Sequence, residues 1–296
     1  MKIRILYIFI LISNIIYAQN NLYLDSKSCP FQLSNIEAIT SGETEYTLPK
    51  ISPDGSYVMF TKKNKSGIYL IDLKNRNIIK TIADDSQLIY DLKWTDDSNS
   101  IIFKKLSSSN KTLSNKEIIQ YSIENDKYEK VVSSNNKSVS NNPLTIANEK
   151  IQIYYNLDKR LVEASDEGNN WFITKEPGLY YNFILSPDRT KVIIHGENIY
   201  VYSIDGKNKI DTGIEKGLAN SWSPDGNYFI YFVDEDKGGH QILESDLYIS
   251  SFDGKNKWKI TDSQDLIELW PSWVNDLISF EDLKTGQIYL AKISKK

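Results

Sequence analysis

Apolar positions in this chain fall in short runs separated by polar turns, and the whole arrangement repeats. Five stretches pair an apolar strand, a polar turn and a second apolar strand: ISPDGSYVMF (51–60), WTDDSNSIIF (94–103), LSPDRTKVII (185–194), WSPDGNYFIYF (222–232) and the shortened WVNDLISF (273–280). A third run, rich in Tyr and β-branched residues, has six copies: GIYLIDL (67–73), EIIQYSI (117–123), RLVEAS (160–165), NIYVYSI (198–204), DLYISSF (246–252) and QIYLAKI (287–293). A fourth follows as NIIKTI (77–82), YEKVV (128–132), NWFIT (170–174), NKIDTG (208–213) and KWKITDS (257–263). Such enrichment marks buried strands, so each unit reads as four strands, a to d. Self-similarity at a spacing of roughly forty residues is the signature of stacked or radially arranged units.

Turn chemistry joins the strands. In Ser-Pro-Asp-Gly, Pro presets φ, Asp caps the turn and Gly accepts a left-handed conformation, so strand a folds back onto strand b. Asp54, Asp97, Asp188 and Asp225 are therefore turn formers, and Asp205-Gly206 and Asp253-Gly254 are tight c–d hairpins. The third unit, PLTIANEKIQIYY (143–155), keeps the strands without that turn, after the Ser/Asn-rich connection VVSSNNKSVSNNP (131–143). The sixth unit has no strand d after strand c, whereas IEAITSG (36–42), ahead of the first strand a, matches KWKITDS. The expected fold is all-β: a six-bladed β-propeller of four-stranded antiparallel blades, closed by an N-terminal strand completing the last blade. Closure of this kind hides sheet edges.

The first eighteen residues change the picture of location. Lys2 and Arg4 precede an apolar run ending at Ala18, which reads as a secretory signal peptide. The expected divisions are 1–18 signal peptide, 19–33 N-terminal extension and 34–296 a single propeller domain. Export places the mature chain in the periplasm or outside the cell, with no later apolar stretch long enough to span a membrane. Cys29 is the one cysteine, so no internal disulfide forms and packing must supply the stability. The formal charge of −4 becomes more negative once Lys2 and Arg4 leave, and no basic stripe stands out, which argues against nucleic acid.

WSPDGNYFIYF with DLYISSFDGKNKWKIT (222–232 and 246–261) resembles the WD40-like (PD40) repeats of TolB-type six-bladed propellers, over about residues 34–293. Propellers of this kind serve as protein-binding platforms, as gating domains of peptidases and as sugar-processing enzymes, so the resemblance implies fold more than function. TolB itself carries an α/β domain ahead of its propeller, a segment this chain has no room for after the leader.

In such propellers the b–c and d–a connections line the mouth of a central channel. The longest b–c insertion, 233–245, gathers Asp234, Glu235, Asp236, His240 and Glu244, with Asp246 just beyond and Gly238 and Gly239 permitting a sharp fold. These groups suit calcium or another divalent ion, or a sugar or cationic ligand; the plain alternative is a solvated acidic loop. His195 falls at the equivalent b–c turn of the fourth unit. Trp270, Asp91, Asn182 and Asn220 occupy corresponding stretches ahead of strand a and are expected near the channel mouth. Trp94, Trp222 and Trp273 are expected to fill space between blades. No nucleophile motif is present, so no catalytic residue and no cofactor is assigned. The expected function is a monomeric, non-enzymatic module binding an envelope or extracellular protein or peptide. The alternatives are a metal-dependent carbohydrate- or lactone-processing enzyme at the channel mouth and a scaffold in a larger assembly.

Overall fold

The computed structural model describes residues 28–76, 79–107, 115–133, 151–236 and 242–296. Every regular element among them longer than a single turn is a strand. The leader, most of the Ser/Asn-rich connection, the segment 143–150 and His240 with Gly238 and Gly239 lie outside the described residues.

The first strand among the described residues is β1 (Phe31–Ala38). A seven-stranded sheet follows: β2 (Tyr46–Ile51), β3 (Tyr57–Lys62), β4 (Ser66–Asp72), β5 (Ile79–Trp94), β6 (Ser100–Ser107), β7 (Asn115–Ser122) and β8 (Lys127–Ser133), paired in that order. The strands β9 (Ile151–Asn156), β10 (Leu161–Asp166) and β11 (Asn169–Phe172) form a three-stranded sheet. Next come two four-stranded sheets. The first holds β12 (Tyr181–Leu185), β13 (Lys191–His195), β14 (Ile199–Ser203) and β15 (Lys209–Asp211). The second holds β16 (Leu218–Trp222), β17 (Tyr228–Asp236), β18 (Ile242–Ser251) and β19 (Lys257–Lys259). Last are β20 (Glu268–Val274), β21 (Leu277–Asp282) and β22 (Gln287–Lys295), with β1 as the fourth strand of their sheet.

β1 pairs antiparallel with β22, Leu33 opposite Ile293 and Ala38 opposite Tyr289. The pairing begins at Phe31, five residues ahead of the segment that the repeat pattern marks. Phe31 and Leu33 extend it because they have an apolar destination: the Phe31 ring stands edge-on to Tyr228 and Trp273 at centroid distances of 5.0 and 5.2 Å. Beyond the strand, the Thr40 hydroxyl accepts from the Ile288 amide at 2.9 Å. Thr174 and Thr261 accept from Val162 and Leu247 in the same way, so the recurrent Thr at the end of strand d ties it to strand c.

The turns behave as their sequence implies. Ser52 Oγ donates to the Asp54 carboxylate at 2.6 Å, and the pattern recurs in Thr95/Asp97, Ser186/Asp188 and Ser223/Asp225. Burial pushes the Asp54 carboxyl up, but hydrogen bonds from Ser52, Ser56 and Ser98 together outweigh it and hold the carboxyl below its usual range. Gly55 and Gly226 take φ of 78° and 64°; Ser98 and Arg189 hold the same turn position at 61° and 60° without being glycine.

One departure from the expected four-stranded blades lies in β5. A strand d, a loop and a strand a were expected from residue 77 to Trp94; the chain instead runs as one 16-residue strand. Its first part pairs with β4 and its second with β6, which fuses two blades into the seven-stranded sheet. No Gly or Pro interrupts residues 83–92, so nothing breaks the pairing; it shifts register instead.

The core lies between sheets. Val58 and Phe60 pack toward Ile288 and Leu290 of the last sheet, while Met59 between them packs toward Ile101 and Phe103. Ile193 likewise packs with Trp222 and Phe229, and its neighbours Val192 and Ile194 with Val162 and Ala164. Alternate residues of a strand point to opposite faces, so both faces are covered and the central strands read as unbroken apolar runs. A sheet sandwiched between two others around a common axis meets this condition.

Candidate functional site

The five described strands that the repeat marks as a are each bent at one corresponding place. Register shifts fall at Thr47/Lys50 in β2, Tyr90/Lys93 in β5, Tyr181/Phe183 in β12, Ala219/Ser221 in β16 and Leu269/Ser272 in β20. Leu48, Asp91, Asn182 and Trp270 sit in these bulges with φ between 50° and 57°, and Asn220 occupies the fifth. A bulge re-aims side chains next to binding sites. The four residues picked from corresponding stretches of the sequence are therefore structural equivalents; Leu48 is the equivalent that sequence reading missed.

These strands also hold one another. Lys50 Nζ donates to Leu92 O at 2.7 Å and Trp94 Nε1 to Lys50 O at 3.0 Å. Asn182 Nδ2 donates to Ala219 O at 2.9 Å, Trp222 Nε1 to Ile184 O at 2.9 Å, and Ser221 Oγ to Trp273 O at 3.2 Å. The Ile51 amide reaches Ser272 Oγ at 3.2 Å, tying the first described sheet to the last.

Four of them, β2, β5, β12 and β16, together with Ile151, Gln152 and Ile153 of β9, line a cavity of about 850 Å³, to which β20 contributes nothing. Lys50, Asp91, Lys93, Asn182, Arg189 and Asn220 supply its polar wall, with Trp94, Phe183 and Ile184 among its apolar lining. Trp94 is partly buried: it stacks on Tyr57 at a centroid distance of 6.3 Å, packs against the core there and also lines the cavity, whereas Trp222 and Trp273 are buried between sheets. Asp91 accepts from Lys104 Nζ at 2.5 Å, and Arg189 pairs with Asp96 from another sheet. Lys50 touches cavity solvent and is accessible in area, but protein packs densely around it. That confinement, with the charge of Lys93 nearby, lowers its amine to about 8 against the opposing pull of Asp91. Asn220 Oδ1 is buried with no hydrogen-bond partner.

His195 is 1% exposed at the end of β13, not in an open turn. Its ring packs on Tyr181 with centroids 5.4 Å apart, and its Nε2 lies 3.4 Å from Asn182 Nδ2. Burial lowers it to about 4, so it stands neutral behind the Asn182 bulge as a wall. Trp270 packs edge-on against Phe232 and is not among the residues lining the cavity.

The acidic insertion is a ribbon, not an open loop. β17 reaches Asp236 and β18 starts at Ile242, with Asp234 opposite Ser245, Glu235 opposite Glu244 and Val233 opposite Asp246. The pleat therefore puts Glu235, Glu244 and Asp246 on one face and Asp234 on the other. Asp246 is committed to Lys259 at 2.9 Å. Among the described residues no group of three or more His, Cys, Asp or Glu could hold a metal ion.

Sequence reading also passed over Glu268, 1% exposed at the start of β20. Burial raises its carboxyl to about 8 against the hydrogen bond from Thr261, with the charges of Asp246 and Asp282 adding to the rise. Between the ordinary value of 4.5 and about 8 the folded state holds a proton that the unfolded chain has lost. Stability therefore falls as pH rises through that window. Glu268→Gln is expected to melt above the parent at pH 8 and close to it at pH 5; melting curves a constant distance apart at both pH values would contradict this.

No protein-family model matches the chain, and no curated protein matches its sequence. Solved structures do resemble it. The putative TolB from Agrobacterium tumefaciens is 13% identical with a TM-score of 0.59, over 91% of this chain and 99% of that one. The Cps50 (Swd1) β-propeller domain from Myceliophteria thermophila is 11% identical with a TM-score of 0.57, over 90% and 100%. The oligogalacturonate lyase from Vibrio parahaemolyticus is 15% identical with a TM-score of 0.50, over 86% and 79%. At such identities the likeness is one of fold, and the fold is that of a β-propeller.

Proposed function

We propose that this chain is an exported, closed six-bladed propeller with WD40-like repeats that binds a protein or peptide, without catalysis, over the mouth of its central cavity. The observation that carries this reading is the distribution of exposed apolar side chains. Leu88, Tyr90, Leu157, Leu179, Tyr181 and Leu243 lie at the end of the sheets where the b–c and d–a connections run, Leu179 being 74% exposed. The remaining two large exposed hydrophobics among the described residues, Ile36 and Tyr128, are on outer strands. Apolar groups gathered at one end of the sheets suit a docking face. The ties between first strands and the pairing of β1 with β22 support six blades closed into a ring. The leader supports a periplasmic or secreted location.

The test is capture from an envelope extract by the protein and by the variant L179D/Y181D. The expected result is a partner retained by the parent and lost about tenfold or more by the variant at unchanged melting temperature, the size expected of central apolar anchors. Equal capture by both, or turnover of a small substrate with no partner, would overturn the reading.

A second reading, a metal-dependent sugar- or lactone-processing enzyme, draws on Glu235 standing opposite Glu244, since like charges across a ladder are destabilising unless an ion lies between. A native-state ligand must raise stability. Removal of divalent ions by EDTA and addition of calcium or manganese are expected to leave the melting temperature unchanged; a rise with either ion would favour the second reading.

A further inference from the structure

We infer that the rim running from the connection after β11 to the ribbon of β17 and β18 takes a cationic segment of the bound partner, one that carries lysine or arginine beside large apolar residues. This rests on the peptide-binding reading above and names the chemistry it selects.

The rim is one continuous surface. The turn after β13 lies against Tyr180 of the preceding connection, so that a Cβ on Gly196 would stand 3.3 Å from its ring. The Ile199 amide donates to Ile214 O at 3.0 Å, which joins β14 to the next connection. Gly217 then brings that connection against the ribbon, where a Cβ would meet Phe232 O at 2.8 Å. Leu179, Tyr181 and Leu243 are exposed apolar groups on this rim. Glu176, Glu197, Glu215, Asp234 and Glu235 stand exposed among them, and none pairs with a cation of the described residues. Lys175 and Lys216 are the opposing charges along the described part of this stretch, and Lys259 beside it is taken by Asp246 and Asp262. The carboxylates also draw together in pairs. Burial raises the Tyr180 hydroxyl against a hydrogen bond with Tyr202, and the charges of Glu176 and Glu197 both add to the rise, which places the two near one ring. Glu235 faces Glu244 across the ribbon, and like charges directly opposite are destabilising. At the other end of the sheets the recurrent turn aspartates are spent within the protein: Asp54, Asp188 and Asp225 on their own turns, Asp205 on Lys207 and Asp253 on Lys255. Exposed apolar area and uncommitted negative charge therefore coincide on the rim. A cationic segment gains there from complementary potential, which speeds encounter and disfavours acidic competitors, while its apolar side chains cover Leu179 and Tyr181.

The probe is a rhodamine-labelled peptide of three Gly-Lys-Leu repeats, compared by fluorescence anisotropy with its Gly-Glu-Leu and Gly-Lys-Ser counterparts. The expected result is saturable binding of the Gly-Lys-Leu peptide, about fivefold or more tighter than either counterpart. Its affinity should fall as salt is raised above roughly 0.1 M, where the screening length drops below about 10 Å. E176K/E197K is expected to lose about fivefold or more in affinity at unchanged melting temperature. E124K/E167K makes the same change of net charge on exposed turns at the other end of the sheets, and is expected to bind as the parent does. A counterpart peptide that binds as tightly as Gly-Lys-Leu, or an E176K/E197K protein that binds as E124K/E167K does, would overturn the inference. The two readings fail separately. A partner captured equally by parent and E176K/E197K, with no binding of the Gly-Lys-Leu peptide, removes the cationic selectivity and leaves the docking face. A peptide that binds through Glu176 and Glu197 in a protein that turns over a small substrate and captures no partner keeps the site and removes the proposed function.

Discussion

Phe31→Ala is expected to destabilise the protein by about 3–5 kcal/mol, the range for truncating a buried aromatic, and to lower the melting temperature by roughly 6–20 °C for a domain of this size. Phe31 is 6% exposed and packs against Tyr228 and Trp273, so its loss leaves a cavity between the last two sheets where β1 joins them. Ile36 lies on the same strand but is 47% exposed, and Ile36→Ala is expected to change stability by less than about 0.5 kcal/mol. Thermal melts of the two variants separate side-chain packing from strand propensity. If both melt alike, the first strand does not hold the last sheet through Phe31.

Trp222→Ala is expected to cost a similar amount, about 3–5 kcal/mol, for a different reason. Trp222 is 4% exposed, packs edge-on against Phe229 at 6.1 Å, and donates Nε1 to Ile184 O in the neighbouring sheet. It both fills the space between two sheets and bonds their first strands together. Trp222→Phe keeps much of the volume and removes the donor, leaving the Ile184 carbonyl unmatched at a cost of about 1–3 kcal/mol. Chemical denaturation of the pair divides the effect: a Phe variant as unstable as the Ala variant would show that the hydrogen bond, and not the ring volume, joins the sheets.

The strands were legible in the sequence because each carries two local signals, an apolar run and a turn whose chemistry fixes its geometry. Ser223-Pro224-Asp225-Gly226 folds as written, with Asp225 capping the turn. The continuity of β5 was not legible, since whether Ala83 to Leu88 bends away or stays paired depends on the neighbouring strand and not on its own residues. Asp91, Asn182, Asn220 and Trp270 could be found by aligning the repeats, because equivalent positions bulge in equivalent places. Lys50 and Glu268 could not. A lysine after Pro and a glutamate before Leu look like surface residues until tertiary structure confines them. His195 misled in the opposite direction: a polar residue beside a Gly reads as an open turn, yet it is the last residue of β13, paired with Ile199 and buried.

The proposed ring depends most on its two ends meeting, and a distance measurement reads that directly. Gln32 and Ser294 are cross-strand partners on β1 and β22, 262 positions apart in sequence, with side chains in hydrogen-bond contact at 3.3 Å. Nitroxide labels at these two positions, in a Cys29→Ser background, should show the strong dipolar broadening of labels on adjacent strands, whose Cβ atoms lie about 4.5–5.5 Å apart. Unbroadened spectra from a folded, doubly labelled protein would mean that the N-terminal strand is not part of the last sheet, and the closed ring would be contradicted.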